Sequence, residues 1–338
     1  MLSRVEHLES TLVRTPTTSI VTHWRGRTHH LRLKHESFNP SGSIKDRTAA
    51  GLLMAMDRRS PLVPGTVVVE STSGNLGLGM ARLLAGLDCR LIAVIDPKTP
   101  PATRDALTRA GVQVYFVDEP DGYGGYLLTR LRTVRDLCAT NPGYRWPDQY
   151  GNYANPWIHQ LTTGPEIAEQ GGPDLDAVYV AVSTGGTLAG IAAHLRTLDQ
   201  QIRIIAVDAH GSLVTGAPPG HRLIAGIGAS RRSSFLSEHS YDAATWVADA
   251  DAIAVCRVFL ADTGVALGGS SGCVLHACLL DLAGPQPPTN PLCLCPDGGD
   301  RYRATLYDDT WLDEVGAREP VELAVKRLRA DGLRFQNG

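Results

Sequence analysis

Short apolar segments alternate with amphipathic segments of helical length along most of the chain. Such alternation is typical of parallel sheets sandwiched between helices, so the pattern predicts the α/β class. The first half contains three strand and helix pairs, predicted at 67–69 and 76–87, 91–95 and 102–110, and 112–117 and 126–138. The strands of a second series are predicted at 176–182, 202–208 and 292–295.

A stretch rich in proline, glycine and aromatic residues, 141–156, separates the two series. We interpret it as the crossing between a smaller, mobile lobe at residues 45–148 and a larger lobe, with a ligand cleft between them. The arginine-rich piece 25–34 is predicted to be the solvated face of a strand or hairpin.

Length and charge narrow the class of protein. With 338 residues the chain can bury a substantial core, in one large unit or two lobes. The net charge is −3 with acids and bases interspersed, which gives no electrostatic footprint for nucleic acid. No apolar run approaches the roughly eighteen residues of a membrane span, and the N-terminus lacks a signal-peptide core, so we expect no membrane association and a cytoplasmic location.

The spacing of the cysteines and histidines speaks against disulfide bonds and against a structural metal site. The seven cysteines include no C-x-x-C pair, which speaks against a disulfide framework and a structural zinc site. Cys293 and Cys295 lie in a short apolar run and are expected to fill the core, and packing is also the default interpretation of Cys273. The histidines have no metal-ligand spacing, so we assign no metal.

Lys45 is the first candidate for chemistry. It ends a turn containing proline and glycine, within the sequence Asn-Pro-Ser-Gly-Ser-Ile-Lys-Asp-Arg, where an apolar helix is predicted to begin. A lysine held there and partly desolvated can have its pKa lowered far enough to attack carbonyl carbons and form a Schiff base. From these nine residues alone, a surface lysine in a helix cap is an equally good interpretation.

Two further glycine-rich turns, at 70–77 and 183–187, each lie between an apolar strand and an amphipathic helix. Backbone amides at a helix N-terminus lack intrahelical partners and favour anions. Neither turn matches a dinucleotide-binding or Walker motif, so nucleotide binding is disfavoured. Three turns at the carboxyl ends of strands indicate a ligand site at that edge of an open parallel sheet.

With these turns in place, the chain resembles the fold-type II pyridoxal-phosphate enzymes of the cysteine synthase and cystathionine beta-synthase family. The resemblance covers nearly the whole chain and includes further motifs at 163–167, 226–228, 269–272 and 296–302. It implies pyridoxal 5'-phosphate as the cofactor, two lobes of parallel sheet flanked by helices as in the tryptophan synthase beta subunit, and a homodimer. It also implies that the larger lobe comprises residues 1–44 plus 149–338.

The resemblance also assigns roles to the cofactor-binding residues. It makes Lys45 the residue that forms the Schiff base with the cofactor and later moves the substrate's alpha proton. Asn75 would hydrogen-bond the phenolic oxygen, and Ser270 would face the pyridine nitrogen, or Ser271 if the register is shifted by one. A hydroxyl there leaves the ring largely unprotonated, which suits beta-replacement better than transamination. The residues expected to hold the cofactor phosphate are Ser183, Thr184, Gly185, Gly186 and Thr187.

Thr72, Ser73 and Gly74 match the family's loop that binds the substrate alpha-carboxylate and closes over the substrate. Closure would exclude water from the reactive intermediate. Ordinary O-acetylserine sulfhydrylases usually have threonine where this chain has Leu76, and glutamine where we align Asp148. These two differences indicate that substrate contacts have changed.

Several segments resemble the branch that joins O-phospho-L-serine to L-glutamate, giving N-(2-amino-2-carboxyethyl)-L-glutamate, a precursor of 2,3-diaminopropionate in siderophores and peptide antibiotics. The segments are 71–77, 124–130, 148–150 and 222–230. The two substrates bring up to about five negative charges, so additional cationic donors are required. The branch implies Arg130 for the leaving group, assisted by Ser183 and Tyr150, with Arg222 as a second candidate. Periodicity alone would instead make Arg130 an exposed helix arginine.

Three alternative functions stay open on the sequence. The nearest is a cysteine synthase that uses O-acetylserine or O-phosphoserine with sulfide, since it shares every cofactor residue. A dehydratase or cystathionine synthase is more distant. The third is a non-catalytic relative that binds metabolites or a partner enzyme.

Overall fold

The computed structural model describes residues 4–198 and 201–338, which fold into alternating strands and helices. The strands are β1 (Thr17–Trp24), β2 (Arg27–His35), β3 (Val67–Ser71), β4 (Arg90–Ile95), β5 (Gln113–Phe116), β6 (Tyr144–Arg145), β7 (Ala177–Ala181), β8 (Arg203–Ala209), β9 (Ala243–Val247), β10 (Pro291–Cys295) and β11 (Arg334–Asn337). The helices are α1 (Arg4–Ser10), α2 (Lys45–Arg59), α3 (Asn75–Ala85), α4 (Pro101–Arg109), α5 (Leu127–Thr140), α6 (Ala154–Leu161), α7 (Thr163–Gly171), α8 (Gly186–Leu195), α9 (Asp249–Thr263), α10 (Gly269–Leu282), α11 (Asp309–Glu314) and α12 (Arg318–Ala330).

The larger sheet has seven strands in the order β11-β1-β2-β10-β7-β8-β9. The pairs that β1 makes with β2 and β11 are antiparallel, and the others are parallel. Successive residues of its central strands pack on opposite faces, because side chains alternate along a strand. Val178 and Leu292 pack in the core that contains α8, whereas Tyr179 and Cys293 pack in the core formed by α9 and α10. The sheet is therefore buried on both faces.

The smaller sheet has four parallel strands in the order β5-β4-β3-β6. Val68 and Leu91 face the helices α2 and α3, while Val69 and Val94 pack with Val134 of α5 on the other face. None of the helices in the described ranges is both long and apolar enough to cross a membrane.

The prediction of an α/β fold with parallel sheets flanked by helices is confirmed. All six strands of the two predicted series are present, with ends shifted by one or two residues. The stretch 141–156 contains a strand that the pattern did not predict, β6, whose two residues pair with Val67 and Val68. Residues 25–34 do lie in a hairpin, but Lys34 is fully buried rather than solvated.

Helix α1 is not placed as the resemblance implied. Leu8 is fully buried in the core that α2 and α3 form beneath the smaller sheet, although β1 and β2 belong to the larger one. Burying this apolar side chain against α2 explains the placement. By packing, residues 4–10 therefore belong with the smaller sheet, and the division of the chain at residues 45 and 148 stays a prediction.

A buried, charge-balanced group links the two sheets, and we call Lys34, Glu36, Arg47 and Glu166 the Arg47 cluster. The Nε of Arg47 lies 2.9 Å from Oε2 of Glu36, and its Nη1 lies 2.7 Å from Oε1 of Glu166. The Nζ of Lys34 lies 2.7 Å from Oε2 of Glu166. Because Arg47 lies on α2, Glu36 follows β2 and Glu166 lies on α7, the cluster fixes the start of α2 against the larger sheet.

Candidate active site

A cavity lies where the carboxyl ends of strands from both sheets meet, and we call it the inner cavity. The turns after β3, β7 and β10 all contribute to its lining, as expected for a site in an open parallel sheet. Most of the residues singled out from the sequence lie here: Lys45, Thr72, Ser73, Asn75, Leu76, Tyr150, Ser183, Thr184, Gly185, Thr187 and Ser270. All three turns singled out from the sequence, the one that ends at Lys45 and those at 70–77 and 183–187, contribute residues to this lining.

Lys45 is the first residue of α2 and lines the inner cavity. The turn before it is held by Asp46, whose Oδ2 accepts a hydrogen bond of 2.6 Å from the Ser41 amide. Lys45 is partly accessible, and burial lowers the pKa of its amine to about 8, against the opposing effect of the Asp297 carboxylate. The amine therefore has the desolvated setting that a nucleophilic lysine needs.

Asp297 is a site residue that the sequence reasoning did not identify. It is buried in the lining of the inner cavity, and its Oδ2 accepts hydrogen bonds from Asn75 Nδ2 at 2.7 Å and from the Tyr302 hydroxyl at 2.5 Å. The Oδ1 of Asn75 in turn accepts from Arg301 Nη1 at 2.7 Å. In the sequence, the motif at 296–302 indicates only the family. In the structure, its side chains orient Asn75 at the start of α3.

The turn 183–187 leads from β7 into α8 and exposes backbone amides at a helix N-terminus. Gly185 has φ 86, a left-handed conformation that favours glycine. A Cβ on Gly186 would lie 2.2 Å from Oδ1 of Asn155, so only glycine fits there. Gly186 itself begins the helix beneath the cavity, whereas Thr184 and Thr187 line it. This arrangement suits an anion such as a phosphate group.

Buried His159 lies behind this turn. Its Nε2 is 3.3 Å from Oγ1 of Thr187 and 3.0 Å from Oγ1 of Thr48, and its Nδ1 is 2.8 Å from Oγ1 of Thr163. Burial, together with the charges of Lys45 and Arg47, holds the pKa of His159 well below its usual range. The imidazole is therefore neutral and ties the turn to α2 through hydroxyl groups.

The three residues of the loop after β3, Thr72, Ser73 and Gly74, differ in their contacts. Ser73 lines the inner cavity and is partly accessible. Thr72 also lines it, but its Oγ1 accepts hydrogen bonds from the amides of Gly74 at 2.9 Å and Gly77 at 3.1 Å, which caps α3. Gly74 does not line the cavity, and a Cβ there would lie 2.5 Å from Cγ2 of Thr103. Within this loop, the first-turn amides and Ser73 are thus placed to bind a carboxylate.

The two candidate serines at the start of α10 differ in position. Ser270 lines the inner cavity. Ser271 is fully buried, and its hydroxyl donates to the carbonyl oxygen of Asp297 at 3.4 Å. The geometry therefore favours Ser270 over Ser271 as the residue that faces a bound ligand.

The expectation that an aspartate replaces a glutamine in the site is wrong. Asp148 does not line the cavity, because it adopts φ 55 in a turn and its side chain lies against Gly151. The next residue, Gln149, lines the inner cavity, and its Nε2 donates to the carbonyl oxygen of Ser71 at 2.6 Å. A glutamine at 149, and not the aspartate at 148, therefore lines the site.

A second, basic cavity adjoins the inner one, and we call it the middle cavity. Ser73, Tyr150, Ser183 and Gly226 line both. The charged residues that line the middle cavity are Asp96, Lys98, Arg130 and Arg222. The structure thus brings together Arg130, Tyr150, Ser183 and Arg222, as the branch resemblance implied.

Arg130 is buried rather than exposed, contrary to the expectation from periodicity. Only 6% of its surface is accessible, and its Nε lies 3.0 Å from Oδ2 of Asp96. Its Nη1 is also buried and has no hydrogen-bond partner within residues 4–198 and 201–338. Burial raises the pKa of Tyr150, which the charge of Arg130 and a hydrogen bond with Ser183 partly offset. Because Arg130 also lines the middle cavity, this nitrogen leaves a donor for a ligand bound there.

Known proteins match this chain along most of its length. Residues 10–297 match the model of a family described as pyridoxal-phosphate dependent enzyme. The chain is 39% identical over 303 residues to the N-(2-amino-2-carboxyethyl)-L-glutamate synthase of Ralstonia nicotianae, which covers 90% of this chain and 90% of the relative.

Two solved structures superimpose on most of this chain. O-ureido-L-serine synthase superimposes with a TM-score of 0.77 at 27% identity, over 90% of this chain and 98% of the other. The O-acetylserine dependent cystathionine beta-synthase from Helicobacter pylori superimposes with a TM-score of 0.78 at 25% identity, over 88% of this chain and 97% of the other.

Proposed function

Because the chain belongs to the pyridoxal-phosphate dependent enzymes, we propose that it catalyses beta-replacement on O-phospho-L-serine with L-glutamate as the nucleophile. The products would be N-(2-amino-2-carboxyethyl)-L-glutamate and phosphate. The observation that carries the proposal is the middle cavity, where buried Arg130 has an unpartnered nitrogen beside Tyr150 and Ser183. The identity of 39% to a synthase named for this product supports it.

The residues of the inner cavity fit pyridoxal 5'-phosphate, the cofactor of the family. Lys45 provides a desolvated amine, the turn 183–187 provides amides and hydroxyls for a phosphate, and Ser270 provides a neutral hydroxyl. Asn75 is held in place by Asp297 and Arg301. When bound, the cofactor withdraws electrons from the substrate's alpha carbon, so that the alpha proton and the beta substituent can leave.

Lys45 would carry the proton in this reaction. With its pKa near 8, part of the amine is neutral at physiological pH and can accept the alpha proton, and it can return the proton afterwards. The loop with Ser73 at the N-terminus of α3 would hold the substrate alpha-carboxylate and keep the alpha C–H bond directed at the lysine. Closure of that loop would exclude water from the site.

The middle cavity would bind the leaving phosphate. Arg130 offers charge-assisted hydrogen bonds, and the hydroxyls of Tyr150 and Ser183 can donate as well. A phosphate dianion needs such donors, whereas sulfide and the acetate of O-acetylserine would leave most of them unused. The buried cation therefore favours the phosphoserine reaction over the cysteine synthase reaction with O-acetylserine.

Two further expectations belong to the proposal. The first is a homodimer, which the family resemblance implies. The second is a role in the cytoplasm, supplying 2,3-diaminopropionate for a siderophore or an antibiotic.

An assay with two nucleophiles tests the proposal. The purified, cofactor-loaded protein is given O-phospho-L-serine with either L-glutamate or sulfide, and the products are identified by mass spectrometry. We expect the glutamate adduct and stoichiometric phosphate. Cysteine as the dominant product would establish the sulfide alternative, pyruvate alone would indicate an eliminase, and protein that binds no cofactor would indicate a non-catalytic relative.

A matched pair of arginine variants tests the phosphate site. Arg130→Gln should raise KM for phosphoserine roughly 10- to 100-fold, the effect of losing a charge-assisted hydrogen bond. Arg132→Gln removes the same charge from the same helix, but Arg132 pairs with Glu119 at the exposed surface, so KM should stay within about twofold. Equal effects of the two changes would contradict the assignment of Arg130.

A further inference from the structure

A third cavity adjoins the basic one on its other side, and we call it the outer cavity. It has a volume of about 340 Å³, and Lys98, Tyr126 and Arg222 line both it and the middle cavity. Arg104 adds a third cation to its lining, which includes no carboxylate of the described residues. The inner, middle and outer cavities thus form a series that passes between two cations, Lys98 and Arg222.

Lys98 lies in the turn between β4 and α4, and its direct partner is a neutral group. Its Nζ donates to the carbonyl oxygen of Gly124 at 3.0 Å, which uses one of the three donors of an ammonium. Burial and the nearby charge of Arg222 lower the pKa of Lys98 to about 8, although Asp96, Asp249 and Asp121 act in the opposite direction. The amine is therefore largely charged at neutral pH and keeps donors for a ligand.

Arg222, like Lys98, is a cation whose hydrogen-bond partners are neutral. Only 5% of its surface is accessible, and its guanidinium donates to the carbonyl oxygens of Gly211, of Gly220 at 3.3 Å and of Tyr123 at 3.5 Å, and to the Ser230 hydroxyl at 3.2 Å. These partners are neutral, and the carboxylates of Asp121, Asp208 and Asp249 attract the guanidinium without a direct contact. Two buried or half-buried cations that contact only neutral acceptors favour an anion between them.

Resting on the proposed function, we propose that Lys98 and Arg222 bind the side-chain carboxylate of the second amino acid and thereby select a dicarboxylic nucleophile. Glutamate has two carboxylates. Once phosphate has left, Arg130 is available for the alpha-carboxylate beside the reacting amine. The side-chain carboxylate is three bonds from the alpha carbon, out of reach of the same guanidinium, and needs separate cations, which the shared wall of the middle and outer cavities provides. The outer cavity is then the route by which glutamate arrives.

This arrangement gives selectivity by charge. Glutamine has nearly the same shape as glutamate but would place a neutral amide, instead of a carboxylate, against Lys98 and Arg222, which disfavours its binding relative to glutamate. Removing one of these cations should therefore reduce the preference for glutamate over glutamine, whereas a merely structural defect should lower the turnover of both nucleophiles alike.

The test uses Lys98→Gln in the cofactor-loaded enzyme. A glutamine side chain can still donate to the Gly124 carbonyl but lacks the charge. We expect the ratio of kcat/KM for glutamate to that for glutamine to fall at least about tenfold, mainly through KM for glutamate. Lys98→Arg should keep most of the preference. Lys326→Gln, which removes the same charge from an exposed position on α12, is the matched control and should keep the wild-type ratio.

A second measurement completes the test. Phosphate release is followed in a single turnover without a nucleophile, because it reports only the first half of the reaction, in which phosphoserine loses its phosphate. Lys98→Gln should affect this release much less than the second half. An unchanged preference for glutamate in Lys98→Gln, or an equal loss in both halves, would overturn the inference alone. Wild-type enzyme that consumes no glutamate would overturn the proposed function together with it.

Discussion

Two opposing effects, burial and a nearby carboxylate, set the pKa of the Lys45 amine. Burial in the inner cavity lowers its pKa to about 8, and the carboxylate of Asp297 limits the decrease. Roughly a tenth of the amine is then neutral at pH 7, compared with well under a thousandth for an ordinary lysine. The residue is therefore prepared to react before any ligand binds.

The pH dependence of cofactor attachment tests this environment. In protein stripped of cofactor, the rate at which Lys45 attaches added pyridoxal 5'-phosphate should rise with pH and level off above about 8, because only the neutral amine attacks. Absorbance and borohydride trapping followed by peptide mapping measure the attachment. A midpoint near the pKa of a free lysine, or a label elsewhere than Lys45, would contradict the assignment.

Two variants serve as controls for this measurement. Lys45→Ala should show no attachment and no turnover. Asp297→Asn removes the carboxylate that raises the pKa of Lys45, so the midpoint should move to lower pH. A shift to higher pH would show that the carboxylate acts on the lysine in another way.

At the scale of the helix, α2 is held by the Arg47 cluster. Arg47 is fully buried and bonded to both Glu36 and Glu166, so its loss would leave two carboxylates without their main partner. A buried ion pair adds little stability relative to an apolar replacement of the whole group, but breaking it by removing one member is costly. The cluster therefore acts mainly to specify where α2, and with it Lys45, lies.

Replacing Arg47 should destabilise the fold severely. We expect Arg47→Met to lower the free energy of unfolding by about 3–5 kcal/mol, since Lys34 alone would remain for two carboxylates and one negative charge of the cluster would lack a counter-charge. Denaturant unfolding followed by circular dichroism measures the change. Arg14→Met is the control, because Arg14 also pairs with a glutamate of α7, Glu169, but at the exposed surface, and its unfolding midpoint should hardly move. Similar midpoints for both variants would contradict the role of the cluster.

Strands buried on both faces could be predicted from the sequence, as could the exposed strand β5 beside them, whereas β6 and β9 could not. The strands β3, β4, β7 and β10 are continuous apolar runs because helices cover both of their faces. The two residues of β6 carry no periodic signal, and β9 is only partly buried. These two are recognised only from their pairing with β3 and β8.

Some residues of the candidate site could also be predicted from the sequence, and others could not. Residues in glycine-rich turns, such as Lys45, Asn75 and Thr184, could be found because the turns themselves carry a signal. Asp297 and Gln149 were missed, since their roles depend on contacts with Asn75 and Ser71, which are distant in sequence. Arg130 needed the family resemblance, because helical periodicity could not show that a cavity lies beside it.

At the scale of the whole molecule, the lining of the inner cavity comes from turns that follow strands of different sheets. The loop with Thr72 and Ser73 follows β3 of the smaller sheet, and the turn 183–187 follows β7 of the larger one. One substrate must contact both, so the predicted lobes, 45–148 and the remainder, are expected to approach each other when it binds.

Small-angle scattering tests this approach. In cofactor-loaded Lys45→Ala enzyme, which cannot complete the reaction, phosphoserine should decrease the radius of gyration, and hydrogen exchange should slow in residues 70–77. Inorganic phosphate, which lacks the alpha-carboxylate, is the control and should not slow exchange in that loop. An unchanged radius together with unchanged exchange would show that the site is already closed.

The position of α1 has a mechanical consequence for any such movement. This helix rests on the smaller unit, whereas β1, which begins at Thr17, is hydrogen-bonded into the larger sheet. Residues 11–16 therefore connect a helix that packs with the smaller sheet to a strand of the larger one, as segments 36–44 and 146–153 also connect the two sheets. In the predicted division into two lobes, these three short connections would limit how far the lobes can move apart.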